Sequence, residues 1–425
     1  MNKAPITDWN PDSPAFWQVQ GRALAQRNLA LSVANLVLSF GVWMVWSVLV
    51  VQLPAAGFEY SPNQLFWLAA LPGLSGALLR IVYTLLAPVF GGRRWTALSS
   101  LSLSLPLLGL YLTLQNTDNV YPSFLLLALL TGMGGANFTS SLSHLAPFYP
   151  QQQQKAILGL HASLANLGVA LVQFLLPLLM HWLLLSGVST QDSLRFTLLP
   201  WFILLTLAAI SAWLGMNDLP CTPPSLTSHL RPFRKRQNWL MSWLYLGSFG
   251  SFIGFAAAFP LLAQLGWHGA LPPEVVFAGP LSGALARWAG LRLMPPQPAR
   301  MLLFGFLGMA ACCLLIEWQF GRNGWAWPFY LTMLMLFLCT GLANAATFHL
   351  MPNANNSDAP QAVLAFASTI AALGAFVIPK SLGSAWAVWG DPAPAFWLFF
   401  CFFLSCALLS LHLLPRPSAR AHSVH

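Results

Sequence analysis

The chain has 425 residues, is 57% hydrophobic and only 7% charged, and its mean hydropathy is +0.65. That composition excludes an ordinary soluble domain and points to a polytopic membrane protein. The net charge of +9 does not indicate nucleic acid as a partner, because the basic residues form no stripe interleaved with aromatics and fall in short gaps between apolar runs.

Residues 1–28 are polar and Pro-containing, with no apolar core before Arg27, so they read as a cytoplasmic N-terminal segment and not as a cleavable signal peptide. Apolar runs of about 20 residues mark membrane spans. They predict helices near 29–53, 64–89, 95–115, 121–147, 156–184 and 194–216. The stretch NDLPCTPPSLTSHLRPFRKRQN, residues 217–238, is Pro-rich and basic and reads as a cytoplasmic linker. A second set follows near 239–264, 271–293, 299–318, 327–351, 361–389 and 393–414, with 415–425 as a cytoplasmic tail. The expectation is an all-α membrane protein of twelve transmembrane helices, with 29–216 and 239–414 as two six-helix halves. With both termini inside, fourteen Lys and Arg fall on the inner side and only Arg195 and Arg322 on the outer side, as the positive-inside rule requires.

Two arginines break the apolar pattern. Arg80 lies in SGALLRIVYT and Arg287 in SGALARWAGL, behind the same phrase, and their separation, 287 − 80 = 207, is close to half the chain. A matched residue in two six-helix halves is the mark of a parallel internal repeat, whose site lies near the midplane between the halves. A guanidinium in the bilayer costs on the order of 3 kcal/mol. Each arginine is therefore either a strut tied to backbone carbonyls or one of a pair facing a central cavity and binding an anion. The guanidinium fork suits a planar trigonal oxyanion and stays ionised when desolvated.

Around them stand weaker candidates. TGMGGANFTSSLSHLAPFYP supplies Gly132, Gly134, Gly135 and Asn137, which serve either an anion shell or close helix packing. Phe138, Tyr245 and Phe249 fall mid-span among small residues, where a ring can face a cavity. The ten acidic residues map to loops or span ends, so His144, His161 and His349 are the titratable groups left for proton coupling. A lone histidine inside a helix is more often a hydrogen-bonded packing residue; His161, next to Asn166, is the best placed of them. Cysteine spacing offers no disulfide framework and no metal site, no cofactor is implied, and no cluster suited to catalysis is present. Two like charges in a carboxylate-free cavity favour obligatory anion exchange, because a bound monoanion offsets one of them.

At these residues the sequence resembles the nitrate/nitrite porter family of the major facilitator superfamily. The likeness runs through RNLALSVANLVLSFGVWMVWS, LFWLAALPGLSGALLRIVYTLLAPVFGGRRWT, GMGGANFTSSLSHLAPFYP, YLGSFGSFIGF, GPLSGALAR and ALGAFVIPKSLGS. It implies the major facilitator fold, nitrate and nitrite as the transported partners, no nucleic acid, a monomer in the inner membrane, and Arg80 with Arg287 as the anion clamp. It also implies that Phe138 and Phe249 sandwich the anion and that Tyr245 contacts it. The family's Gly-rich helix-five pattern is kept at Gly159, at Asn166 (a further candidate contact) and at Gly168. It departs at His161, Ala162, Ser163 and Ala165; the helix-eleven counterpart TIAALGAF keeps Gly374. The acidic–basic turn usual between helices eight and nine is replaced by WAGLRLMPPQPAR, and its first-half equivalent survives as FGGRRWT. The expected activity is nitrate/nitrite antiport, with proton-coupled symport or carriage of another monoanion such as formate as alternatives.

Overall fold

The computed structural model describes residues 6, 8–118, 120–220, 234–267, 270–320, 325–351 and 360–414. Among them every regular element is helical, as a bilayer demands of a chain that does not close a barrel. Eleven helices are long and apolar enough to cross a membrane: α1 Pro14–Gln52, α2 Pro62–Phe90, α3 Gly92–Thr113, α4 Tyr121–Phe148, α5 Gln151–Leu185, α6 Thr190–Gly215, α7 Arg236–Trp267, α9 Pro298–Phe320, α10 Ala326–Leu350, α11 Ala362–Trp389 and α12 Ala393–Leu411. Between α7 and α9 lies α8, Ala278–Arg292, which at 15 residues is shorter than the span expected over 271–293 because the chain enters it through a separate 3₁₀ turn at Pro273–Val275.

Local chemistry fixes several ends. α2 opens on a capping box, with Gln64 N donating to Ser61 Oγ at 3.3 Å and Ser61 N to Gln64 Oε1 at 2.9 Å, and with Pro62 in the first turn. α1 begins at Pro14, fourteen residues before the expected end of the N-terminal segment at 28. The early turns are polar enough to leave the bilayer, yet their aromatic side packs on the α4–α5 corner, with Trp17 and Tyr149 ring centroids 5.6 Å apart. Trp9 Nε1 donates to the Pro147 carbonyl, and Asp12 accepts from Gln151 N, capping α5.

The expected linker contains an anchor. Asp218 accepts from Arg93 N at 2.8 Å and pairs with Arg93 Nε at 3.5 Å. Gly91, at φ +83°, brings the α2–α3 turn close enough that a Cβ there would touch the Asp218 carboxylate. Residues 221–233 of the linker, Arg322 and the tail 415–425 lie outside the described residues.

The internal repeat carries matched packing. Gly76 in α2 meets the Gly132 carbonyl of α4, and Gly283 in α8 meets the Phe337 carbonyl of α10, at distances where a Cβ would sit 3.0 Å from the oxygen. Small residues allow this backbone approach, and van der Waals contact then holds the helices together without a hydrophobic driving force. Across the two helix sets, a Cβ on Gly73 of α2 would overlap the Ala375 backbone of α11, and Gln173 Nε2 of α5 donates to the Ala256 carbonyl of α7 at 2.7 Å.

Candidate anion-binding site

Arg80 and Arg287 are both fully buried, at 0% exposure. Positions 80 and 287 stand where SGAL-x places them, one turn past the glycine that seats each helix on its neighbour. Their surroundings differ. Arg80 Nε donates to the Gly135 carbonyl at 3.1 Å and its Nη1 to the Ser368 carbonyl of α11 at 2.5 Å, leaving Nη2 without a partner. Its guanidinium carbon lies 5.5, 4.9 and 5.4 Å from the ring centres of Trp43, Phe138 and Phe249. Arg287 makes no short hydrogen bond through Nε, Nη1 or Nη2; the Tyr245 hydroxyl stands beside it, and Phe348 at 5.5 Å and Phe249 at 6.0 Å lie under its guanidinium carbon. Both guanidiniums thus flank one ring, that of Phe249.

Phe249 belongs to a run of parallel rings. It stacks on Phe138 with centroids 5.8 Å apart and planes 18° apart, and on Tyr245 at 5.3 Å and 28°. A planar anion sandwiched between two rings needs about 7 Å between their planes, two van der Waals contacts of about 3.5 Å each. Phe138 and Phe249 stand closer than that and pack against one another. Tyr245 sits within electrostatic reach of both arginines, and its hydroxyl stands beside the Arg287 guanidinium without closing a short hydrogen bond to it.

The sequence gives no warning of how α7 presents these rings. Leu246–Gly250 is a π turn between two α-helical stretches. It inserts a residue into the helical register directly after Tyr245 and carries Phe249, the sort of local irregularity that recurs at functional sites. Gly374 of α11 packs on it so closely that a Cβ would sit 2.5 Å from the Gly250 carbonyl carbon.

The remaining candidates are placed as follows. Asn166 lies at a break in α5, is 1% exposed, and neither side-chain atom has a partner, so it makes no hydrogen bond to either arginine. His161 forms a 2.8 Å hydrogen bond between Nε2 and Ser32 Oγ of α1. A Cβ on Gly168 would overlap the Val37 carbonyl of α1, and one on Gly159 would meet only Leu291 and Phe348 side chains. Both glycines are therefore seats for neighbouring helices.

The buried charged side chains among the described residues are Arg80, Arg93 and Arg287. Only Arg93 has a carboxylate partner. The inside–outside count leaves three cations unassigned, 19 − 16 = 3, namely Arg80, Arg287 and Lys380. Lys380 was missed, though the test that found the arginines, a cation within an apolar run, would have found it. Its Nζ joins α11 to α2, 2.9 Å from Ser384 Oγ, 3.4 Å from Asn63 Oδ1 and 4.6 Å from the Trp67 ring centre.

The chain and its fold have clear relatives. The sequence profile described as the Major Facilitator Superfamily matches residues 31–379. The nitrate/nitrite transporter NarU of Salmonella typhimurium is 37% identical, with 96% of each chain covered. The probable nitrate/nitrite antiporter NarK2 of Thermus thermophilus is also 37% identical, over 88% of each chain. In three dimensions the inward-open xylose transporter XylE of E. coli superposes with a TM-score of 0.69 at 14% identity, covering 92% of this chain and 97% of that one. That likeness shows the fold alone. The chain is a multi-pass membrane protein and belongs to the nitrate/nitrite porter family of the major facilitator superfamily.

Proposed function

We propose that this protein carries nitrate and nitrite across the cytoplasmic membrane by alternating access, with both termini inside, exchanging one anion for the other at Arg80, Arg287 and the Phe138–Phe249–Tyr245 stack. The observation that carries the reading is Arg287: a fully buried guanidinium whose three nitrogens make no short hydrogen bond, with only the neutral Tyr245 hydroxyl beside it and no buried carboxylate among the described residues. A buried cation of this kind demands a counter-ion. Nitrate and nitrite are small planar monoanions whose oxygens fit the fork of one arginine and the spare Nη2 of the other. The relatives' names agree with that chemistry.

Exchange follows from the electrostatics. Reorienting two desolvated like charges with nothing between them is costly, and a bound monoanion offsets one charge. In proteoliposomes loaded with nitrite, uptake of labelled nitrate should exceed uptake into empty vesicles severalfold at fixed pH. Equal uptake into empty vesicles would sink the exchange reading, and uptake driven by an inward proton gradient would favour symport.

The tie between His161 and Ser32 fits a packing role better than a proton carrier. Under exchange, His161→Asn should therefore leave the pH profile of counterflow between about pH 5 and 8 unchanged. A profile flattened by that substitution would point to proton coupling through His161.

A further inference from the structure

Asn344 of α10 is fully buried, at 0% exposure, and neither its Oδ1 nor its Nδ2 has a hydrogen-bond partner. Buried amides are nearly always satisfied, because leaving one unpaired sacrifices its hydration without return. Its place in the helix says what stands near it. Gly341, one turn before, packs so that a Cβ would meet the Arg287 backbone nitrogen at 3.0 Å. Phe348, one turn after, lies 5.5 Å from the Arg287 guanidinium carbon. Residues i, i+3 and i+7 share one helix face, so Asn344 occupies the α10 face that borders Arg287. On its other side Thr347 Oγ1 bonds Ser248 Oγ of α7, inside the π turn that carries Phe249.

The repeat sharpens the point. Asn344 and Asn137 are separated by 344 − 137 = 207 residues, the interval between the two arginines. The first-half amide is partly spent within the protein, its Nδ2 donating to Ser39 Oγ at 3.0 Å. The second-half amide is wholly unspent, and it lies on the α10 face that borders the arginine making no short hydrogen bond.

We propose that Asn344 is an anion-contacting residue, whose Nδ2 donates to an oxygen of the planar anion held by Arg287 and whose Oδ1 accepts from the guanidinium only when the anion is bound. This rests on the proposed anion site. An amide serves here because it supplies a donor without a further positive charge and an acceptor without neutralising the arginine.

Three purified proteins test it: wild type, Asn344→Ala and Asn344→Asp, each followed for its melting temperature with and without nitrate and for the KM of counterflow. Nitrate should raise the wild-type melting temperature, as any ligand of the native state does. Asn344→Ala should melt no lower than wild type, since no protein hydrogen bond is lost, yet show a KM raised about tenfold and a smaller nitrate shift. Asn344→Asp places a carboxylate beside Arg287 and should melt higher while losing the nitrate shift and exchange. A KM and nitrate shift equal to wild type in the alanine protein, or nitrate stabilisation retained in the aspartate protein, would overturn the assignment. Absence of any nitrate or nitrite shift in wild type would overturn the anion-site reading, and this one with it.

Discussion

Replacing Arg287 by lysine should cut nitrate exchange by about a hundredfold or more while leaving the protein at least as stable as before, whereas the same change at Arg80 should cost both. Arg287 has no short protein hydrogen bond to lose and only the neutral Tyr245 hydroxyl beside it, and lysine keeps the charge but forfeits the fork, so the loss falls on the anion. Two charge-assisted hydrogen bonds at about 1.5–3 kcal/mol each comfortably exceed the 2.7 kcal/mol or so that a hundredfold represents. Arg80 joins the Gly135 carbonyl of α4 to the Ser368 carbonyl of α11. A single ammonium does not span that pair in fork geometry, so Arg80→Lys should destabilise the protein by about 2 kcal/mol as well as slow exchange. Melting temperatures and counterflow rates on the two purified variants check this. Equal stability losses at the two sites, or wild-type exchange in Arg287→Lys, would remove the basis for treating Arg287 as the free half of the clamp.

The asymmetry explains how both readings of a membrane arginine can hold in one protein. Arg80 is tied to backbone carbonyls, as a strut is, and still keeps one nitrogen unspent. The pair was legible because charge within apolar runs is rare and because SGAL-x occurs twice. The α4–α7 ring stack was half legible: Phe138, Tyr245 and Phe249 were singled out for their small neighbours, but the π turn that sets Phe249 beside both arginines comes with packing of Gly250 against Gly374 of α11, which no local pattern encodes. The early start of α1 was hidden for a related reason. Its first turns are polar by composition, and their apolar partners, Phe148 and Tyr149, are more than a hundred residues away. Asp218 read as linker because its partner Arg93 lies across the α2–α3 turn. Asn344 stayed invisible, since an asparagine in a run of small residues becomes informative only when its lack of a partner can be seen.

Gly159 and Gly168 of α5 and Gly374 of α11 should answer very differently to the same added methyl. At Gly168 a Cβ would overlap the Val37 carbonyl, and at Gly374 it would sit 2.5 Å from the Gly250 carbonyl carbon, so in both cases rigid backbone must move. At Gly159 the nearest atom is Leu291 Cδ1 at 3.1 Å, the mobile end of a side chain. Overpacking against backbone costs about 1–3 kcal/mol, so Gly168→Ala and Gly374→Ala should each lower stability by that order, and Gly159→Ala should be nearly neutral. Gly374→Ala should carry an additional loss of exchange, because the atoms it displaces belong to the π turn that holds Phe249 between Arg80 and Arg287. Melting curves and counterflow on the three variants separate these effects. If Gly159→Ala proved the most damaging, or Gly374→Ala lost stability with KM and rate intact, the π turn would be a packing feature and not the element that positions the ring. The alanines already present at 162 and 165, both fully buried, then mark positions where α5 has room for a methyl, and Gly168 marks where it has none.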